Sequence, residues 1–327
     1  MEAKLSMSKV TQEPIIEFKE VYKSYKDVAA LRGVSFSIQK GEIFGYIGPN
    51  GAGKTTTLKI LVGLIRDYSG ELKINGEILT SHNLPNELIG YLPQDVGFQE
   101  WRTVDHALTT FGLLSGMKRE ELQQRIPEIL ELVGLSEARN RKIKHLSGGM
   151  QQKLKLAQAL IHNPPILVLD EPMSGLDPTS RWQMRNIILK LAKEDITIIF
   201  SSHILGDVEN IATTIGILHQ GVVVKLGKPQ DLKQELIGGE GVEIIGENLL
   251  EKVDEISILS SITSVESSPD NSSRIVVYFA PKSILEDALL ELMSFFSTNK
   301  IVIRNFNYLK PSLEQVYLKY VNGGVIS

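Results

Sequence analysis

Short apolar runs alternate with segments of helical periodicity over residues 15–236. Three apolar runs are each followed by a helix-like segment, namely 42–48 by 55–64, 166–170 by 178–193, and 197–201 by 205–211. Strands that alternate with helices along a chain are typical of a mainly parallel sheet flanked by helices. The pattern therefore predicts an α/β fold for this part of the chain.

Two stretches within this part depart from the alternation. Segments 15–22, 34–38 and 70–75 are predicted to be antiparallel strands on one edge, the last of them followed by an Asn75-Gly76 turn. Between residues 95 and 145 strand-like runs give way to helical spacing, as in Leu122, Ile126, Ile129, Leu130 and Val133. We expect a helical insert here.

A glycine cluster at residues 238–241 predicts a linker to a second domain. Beyond it, strands are predicted at 242–245, 274–279 and 301–306, and amphipathic helices at 284–295 and 312–320. The expected organisation is an N-terminal extension (1–14), an α/β domain (15–237, with its helical insert at about 95–145), a linker (238–241) and a small α+β domain (242–327).

Composition narrows the functional classes. A chain of 327 residues can hold one sizeable and one smaller core, and its net charge of -4 gives no general attraction to nucleic acid or anionic lipid. The absence of cysteine excludes disulfides and thiolate chemistry. No apolar run approaches the roughly 18 residues that span a bilayer, and the first residues lack the features of a secretory signal. We expect a soluble intracellular protein, so any membrane-spanning part belongs to a partner.

Residues 48–55 read Gly-Pro-Asn-Gly-Ala-Gly-Lys-Thr and lie between a predicted strand and a predicted helix. Glycines let successive N–H groups point into one concavity, and the helix presents its positive end to the same anion. This pattern predicts a nucleoside triphosphate site in which Lys54 contacts the β- and γ-phosphates and Thr55 binds Mg²⁺, with Thr56 as a further phosphate donor. An ordinary glycine-rich turn is the alternative, which the strand and helix on either side disfavour.

Two carboxylates follow the buried-type run 166–169. Ligands of α/β sheets bind at the carboxyl ends of the strands, so Asp170 can bind Mg²⁺ while Glu171 acts as the base for an attacking water. Taken alone, the pair is equally well explained as an acidic turn at the end of a strand.

A second anion-binding surface is predicted at Ser147-Gly148-Gly149, because a helix-compatible segment follows these residues directly. Taken alone, a serine before two glycines is usually a loop with a helix N-cap.

With these motifs together, the sequence resembles the ATP-binding cassette (ABC) family of transporter ATPases over residues 15–236. The motifs that occur in that family's order are loop 48–55, Gln94 within Tyr-Leu-Pro-Gln, Leu146 to Met150, Asp170-Glu171, Ser174 to Asp177, and Ser202-His203. The resemblance implies a P-loop NTPase core of mainly parallel sheet with an antiparallel β edge and a helical insert. It also implies that two cassettes pair head to tail, so that each ATP lies between the loop of one chain and the Ser147 turn of the other.

The same resemblance implies roles for four isolated residues. Tyr25 would stack on adenine, Gln94 would contact Mg²⁺ and the attacking water, His203 would contact the γ-phosphate, and Asp177 would organise the partner's site. Each has a plainer alternative: a tyrosine at a strand end, a loop glutamine, a structural histidine, and an N-cap for the helix that opens at Pro178.

The predicted site falls into three sets. The nucleotide-binding set is Tyr25, Gly48, Pro49, Asn50, Gly51, Ala52, Gly53, Lys54, Thr55, Thr56, Ser147, Gly148, Gly149 and Asp177; the catalytic set is Glu171, His203 and Gln94; the Mg²⁺ set is Thr55, Gln94 and Asp170. Met150 replaces the family's usual glutamine, and Met173 stands where threonine or serine is common. Neither replacement removes a phosphate donor, so we expect hydrolysis to survive.

The function expected from the resemblance is that of an ATP-hydrolysing subunit that powers a membrane transporter. Residues 242–327 resemble the C-terminal extension of drug-, lipid- or polysaccharide-type exporter cassettes, especially in segment 311–318, which favours an exporter. The expected partners are a second copy or a homologous cassette and a separate permease, with the chain held at the cytoplasmic face of the membrane and no nucleic acid bound. Trp101 is a candidate permease contact or, equally, a core residue of the insert.

Two other functional classes remain open at this point. The same ATPase could perform soluble work on a ribosome or on nucleic acid, although the single cassette and the absence of sustained heptads disfavour this. A nucleotide sensor without turnover is disfavoured by the presence of Glu171 and His203.

Overall fold

The computed structural model describes residues 13–80, 83–95, 97–234, 241–268, 271–280, 283–309 and 312–321. The chain divides into two compact units, Met1–Lys228 and Pro229–Ser327. Most of the predicted N-terminal extension 1–14, residues 238–240 of the predicted linker, and residue 311 of the exporter-like segment lie outside the described residues; Gly241 begins a strand.

A mainly parallel sheet forms the centre of the first unit. Its strands in the described chain are β3 (Ile43–Ile47), β6 (Ile89–Leu92), β7 (Ile166–Leu169), β8 (Thr197–Ser202), β9 (Thr214–His219) and β10 (Val222–Gly227), in the spatial order β10-β9-β3-β8-β7-β6. Only β10 is antiparallel to its neighbour. Every residue of β3, β7 and β8 is buried, as expected for parallel strands covered on both faces.

The antiparallel strands predicted near the N-terminus form a sheet of their own. Its described strands are β1 (Ile16–Tyr25), β2 (Val28–Ile38), β4 (Ser69–Ile74) and β5 (Glu77–Ile78), in the order β2-β1-β4-β5. Stacked rings join the two sheets in one core, since the Phe36 ring centre lies 4.6 Å from that of Phe18 and 5.0 Å from that of Phe44. The predicted antiparallel strands are thus confirmed, but they form a separate sheet and not an edge of the parallel sheet.

Helices complete the first unit. The described α-helices are α1 (Lys54–Leu61), α2 (Val104–Leu114), α3 (Arg119–Leu132), α4 (Gly148–Leu160), α5 (Pro178–Ala192) and α6 (Leu205–Glu209), and two 3₁₀ turns lie at Ser136–Ala138 and Ile143–His145. In α3 the buried residues Leu122, Ile126 and Ile129 recur at helical spacing on one face. The helical insert is confirmed. None of the described helices combines the length and the apolarity that a membrane crossing requires.

The second unit is an α+β domain with its own core. Its described strands are β11 (Gly241–Gly246), β12 (Ile262–Ser268), β13 (Asn271–Phe279) and β14 (Ile303–Leu309), all antiparallel in the order β12-β13-β11-β14. Its α-helices within the described residues are α7 (Pro229–Gln234), α8 (Val253–Ser257), α9 (Leu285–Thr298) and α10 (Leu313–Val321). Ile256 of α8 and Leu292 and Phe296 of α9 belong to the same buried core as Val242 and Ile244 of the sheet.

Gly90 is required where β6 lies against α4. An added Cβ would overlap the carbonyl oxygen of Ala159 and would lie 2.8 Å from Cγ of Pro164. We expect Gly90→Ala to lower the free energy of unfolding by about 2 kcal/mol, because two packed backbones must separate. Urea denaturation would measure the loss. Gly97→Ala is the control, since a Cβ there meets no atom within 4 Å; an equal loss in both variants would contradict the close approach.

Candidate active site

The glycine-rich loop between β3 and α1 has a backbone that side chains would obstruct. Gly51 and Gly53 adopt φ values of 79° and 111°, in the left-handed region that favours glycine. A Cβ on Gly53 would lie 2.7 Å from the carbonyl oxygen of Ala30, and one on Gly48 would overlap that of Leu218. The loop is therefore shaped by neighbouring backbone as well as by its own turn.

Lys54 is the first residue of α1, and its ammonium group points back into this loop. Its side chain is buried, and Nζ donates to the carbonyl oxygen of Gly48 over 2.8 Å. The same Nζ lies 3.7 Å from Oε1 of Glu171. Burial lowers the pKa of Lys54, and the charges of Glu171 and Asp170 oppose that shift. A cation held among carbonyls and carboxylates at a helix N-terminus can bind an anionic ligand.

Asp170 follows β7 directly and is fully buried. The hydroxyl of Ser201 donates to Oδ1 over 2.6 Å, whereas Oδ2 has no hydrogen-bond partner among the described residues. Thr55, Gln94 and Asp170 line one cavity. A buried carboxylate oxygen without a partner, in a cavity that a threonine and a glutamine also line, fits the preference of Mg²⁺ for a few protein oxygens together with substrate phosphates.

Glu171 is fixed in position by its backbone and by both carboxylate oxygens. Its φ of 51° is rare for a residue with a side chain, and its N–H donates to Oγ of Ser201 over 2.9 Å. Nδ1 of His203 donates to Oε2 over 2.9 Å, while Oε1 faces Lys54. The structure thus places the predicted base between the predicted histidine and the predicted phosphate-binding lysine.

One cleft of about 380 Å³ brings most of the predicted nucleotide site together. Its lining residues are Tyr25, Ala30, Pro49, Asn50, Gly51, Ala52, Gly53, Lys54, Thr55, Thr56, Gln94 and Glu171. Tyr25 ends β1 and is 46% exposed, so its ring is accessible. Gly48 and His203 do not line the cleft and reach it through their contacts with Lys54 and Glu171. Ala30 was not predicted, because an alanine in a strand carries no sequence signal.

Ser147, Gly148, Gly149 and Asp177 do not line this cleft. The Ser147 hydroxyl accepts from the N–H of Met150 and caps α4, and the Asp177 carboxylate caps α5 by accepting from the N–H groups of Thr179 and Ser180, each over 3.0 Å. Hydrogen bonds from Ser180 and Thr179 also lower the pKa of Asp177. The N-cap alternative for Asp177 is therefore realised, which leaves its other role open.

The Ser147 turn is nevertheless connected to the residues of the cleft through α4. Nε2 of Gln152 donates to the carbonyl oxygen of Pro172 over 3.0 Å, directly after Glu171. Nζ of Lys155 donates to the carbonyl oxygen of Gln94 over 3.4 Å. Sequence reasoning missed both contacts, since neither residue belongs to a recognisable motif.

Trp101 and the two unusual methionines have different surroundings. Trp101 is 65% exposed, with the guanidinium of Arg102 5.0 Å from its ring centre, so it is not a core residue of the insert. Met173 is buried, whereas Met150 is partly exposed in the first turn of α4.

Comparison with known proteins identifies the family. A family model described as ABC transporter matches residues 31–174. The uncharacterized ABC transporter ATP-binding protein YxlF of Bacillus subtilis is 37% identical over 309 residues, which cover 94% of this chain and 100% of the relative. The chain belongs to the ABC transporter family of ATP-binding proteins. Members of this family are ATPases, so the cassette is an ATPase, and the predicted family is confirmed.

Two further similarities bear on the cassette. The Nod factor export ATP-binding protein I of Burkholderia lata is 34% identical over 251 residues, covering 76% of this chain and 83% of that protein. A dimeric ATP-binding cassette in a post-hydrolysis state, bound to ADP and Pi, is 28% identical, with a TM-score of 0.60 over 65% of the chain and 98% of its own length. The predicted P-loop α/β fold is confirmed.

Proposed function

We propose that the cassette is the ATP-hydrolysing subunit of a membrane exporter whose permease is a separate polypeptide. One observation carries the proposal: Thr55 and Gln94 line both the 380 Å³ cleft and a neighbouring groove. Nucleotide binding or hydrolysis in the cleft can therefore act, through Thr55 and Gln94, on a permease segment that occupies the groove. The similarity to a protein named for Nod factor export supports the export direction.

In this proposal the cleft binds ATP. The N–H groups of loop 48–53 and the ammonium of Lys54 bind the phosphates, and Tyr25 stacks on the adenine. Thr55, Gln94 and Asp170 would hold Mg²⁺, which neutralises charge on the phosphates. These residues orient the γ-phosphate for attack by water.

The oxygen of the water attacks the γ-phosphorus while Glu171 accepts a proton from that water. The bond between the γ-phosphorus and the bridging oxygen breaks, and ADP leaves. His203 donates to Oε2 of Glu171 and so directs this carboxylate. The rare backbone conformation of Glu171 serves the same end, because it restricts where the carboxylate can lie.

Each site is completed by a second cassette, either a copy of this chain or a homologue. The dimeric relative supports pairing, and so does the separation of Ser147, Gly148, Gly149 and Asp177 from the cleft of their own chain. A γ-phosphate bound by both chains closes the dimer, and its loss after hydrolysis lets the dimer open.

The neighbouring groove is the proposed docking site for the permease. It is the same cavity of about 510 Å³ that Thr55, Gln94 and Asp170 line, and the permease would occupy its part away from these three residues. The cavity lies between α1, β6, α2 and α4, with Leu64, Pro85 and Phe111 among its apolar lining residues. Leu64 is exposed although it is apolar. Docking there would hold the cassette at the cytoplasmic face of the membrane, and we place Trp101 at the edge of this contact.

Leu64→Glu is expected to abolish stimulation of ATPase activity by the permease, because a carboxylate in an apolar contact must be desolvated. Basal ATPase activity should stay within about twofold of the unsubstituted protein, since surface substitutions away from the cleft change stability little. The measurement is ATP hydrolysis by the cassette with and without the reconstituted permease. Ile78→Glu, an equally apolar exposed position on β5, is the control; full stimulation of the Leu64 variant would exclude the groove.

Purification of the tagged cassette from membranes tests the function as a whole. The expected result is an integral membrane protein in stoichiometric amount, with ATPase activity that rises when the pair is placed in lipid. Recovery with ribosomes or nucleic acid in place of a membrane protein would instead support the soluble class of ABC ATPase.

A further inference from the structure

Lys23 is a charged side chain buried beside the proposed adenine site, and it takes no part in the ATP binding and hydrolysis proposed for the cleft. It lies on β1 two residues before Tyr25, where the pairing with β2 is irregular between Lys23 and Ser24. Lys23 is 5% exposed, and its Nζ lies 4.8 Å from the centre of the Tyr25 ring. A cation within about 6 Å of a ring centre, over its face, is attracted by the ring's electrons.

The ammonium of Lys23 is held in this position from the other side. It donates to the carbonyl oxygen of Asp67 over 2.8 Å and forms a close ion pair with Oδ2 of the same residue. The hydrogen bond from Lys23 lowers the pKa of Asp67, whose side chain is 85% exposed. Asp67 therefore anchors a cation that the strand has buried.

Tyr25 connects the ammonium of Lys23 with the cleft. Tyr25 lines the cleft, and Lys23 does not. The ring also remains 46% exposed although Lys23 lies against it. The cation thus lies over the ring, and the ring still lines the cleft.

We propose that Lys23 is a positioning residue for the base of a purine nucleotide and acts through Tyr25. The inference rests on the proposed stacking of Tyr25 on adenine. The cation fixes the plane of the ring before the ligand arrives, which reduces the ordering that binding requires. It also draws electron density from the far face of the ring, where the electron-rich purine stacks.

The test compares a ligand that has a base with one that lacks it. Calorimetry on the full chain measures the Kd of Mg²⁺-ADP and of Mg²⁺-pyrophosphate, neither of which requires hydrolysis. Lys23→Met keeps the length of the side chain and removes the charge; we expect it to weaken ADP binding about threefold and to leave pyrophosphate binding unchanged. Lys19→Met, an exposed position on the same strand, should change neither.

A double-mutant comparison identifies the path of the effect. Tyr25→Ala is expected to weaken ADP binding about tenfold, as loss of a base stack does. Lys23→Met should then have no further effect in the Tyr25→Ala background, because its action requires the ring.

The outcomes separate this inference from the function on which it rests. If Tyr25→Ala leaves ADP binding unchanged, the adenine contact itself is wrong. If Tyr25→Ala weakens ADP binding but Lys23→Met does not, tightens it, or weakens pyrophosphate equally, only the role of Lys23 is overturned. Should Lys23→Met fail to fold, Asp67→Asn retains the cation and loosens its anchor; ADP binding must then weaken while pyrophosphate binding does not, and unchanged ADP binding overturns the proposal.

Discussion

Glu171→Gln should lower kcat for ATP hydrolysis at least about 100-fold while ATP still binds. The amide keeps the size of the side chain, and it can still contact His203, but it cannot accept a proton from the attacking water. Because the shared γ-phosphate is no longer hydrolysed, the closed dimer should also accumulate in the presence of ATP. Phosphate release, equilibrium ATP binding and size-exclusion chromatography with ATP measure the three effects.

Glu194→Gln is the matched control for this substitution. It makes the same change at an exposed position two residues after the end of α5 and should leave all three measurements unaltered. A Glu171 variant that turns over at the unsubstituted rate would exclude Glu171 as the base. Loss of ATP binding together with turnover would show that the carboxylate is needed for the shape of the cleft.

Two individually inactive variants should restore one another if each ATP lies between two chains. Lys54→Met removes the cation from the loop, and Ser147→Asp places a negative charge where the partner's phosphate would lie. Aspartate is as good an N-cap as serine, so α4 should keep its start. Each variant alone should lose at least about 100-fold in ATPase rate, since an oriented charge contact with the transferred phosphoryl group is lost.

A heterodimer of these two variants has one intact site and one site with both defects. Purified through two different tags, it should recover about half of the unsubstituted rate when the two sites act independently. The control heterodimer carries both substitutions on one chain and none on the other, and it has no intact site. Equal rates in the two heterodimers would contradict a site shared between chains.

Much of the cleft follows from the sequence because its parts are local or are brought together by a parallel sheet. Loop 48–53 is fixed by its own glycines, and Asp170 and Glu171 follow a wholly buried strand. Parallel strands end at the same edge of a sheet, so β3 and β7 deliver these residues to one place, with β8 between them.

Several strands could not be predicted, for reasons visible in their surroundings. β6 is four residues long and contains Gly90, which is there for the close approach of α4 and weakens the strand signal. β10 is an edge strand with mostly half-exposed residues, and so it lacks a clear alternation. β12 of the second unit was missed as well, because it contains only two apolar residues, Ile262 and Val265, among polar ones.

Contacts between distant side chains were also invisible in the sequence. Alternation on β1 gives no reason to bury Lys23, because its partner Asp67 lies 44 residues away. Likewise, Lys155 and Gln94 are separated by 61 residues. Such pairs depend on the packing of whole elements, which local pattern does not encode.

The hydrogen bonds of α4 restrict how the proposed dimer can move. The helix that Ser147 opens is tied to the backbone beside Glu171 through Gln152, and to the backbone of Gln94 through Lys155. A pull on Ser147 by the partner's nucleotide must either carry both of these segments along or break the bonds. The two ATP sites and the permease groove would then be coupled through α4. Replacing Gln152 or Lys155 would remove one of these hydrogen bonds, and hydrolysis at the two sites would no longer be synchronised.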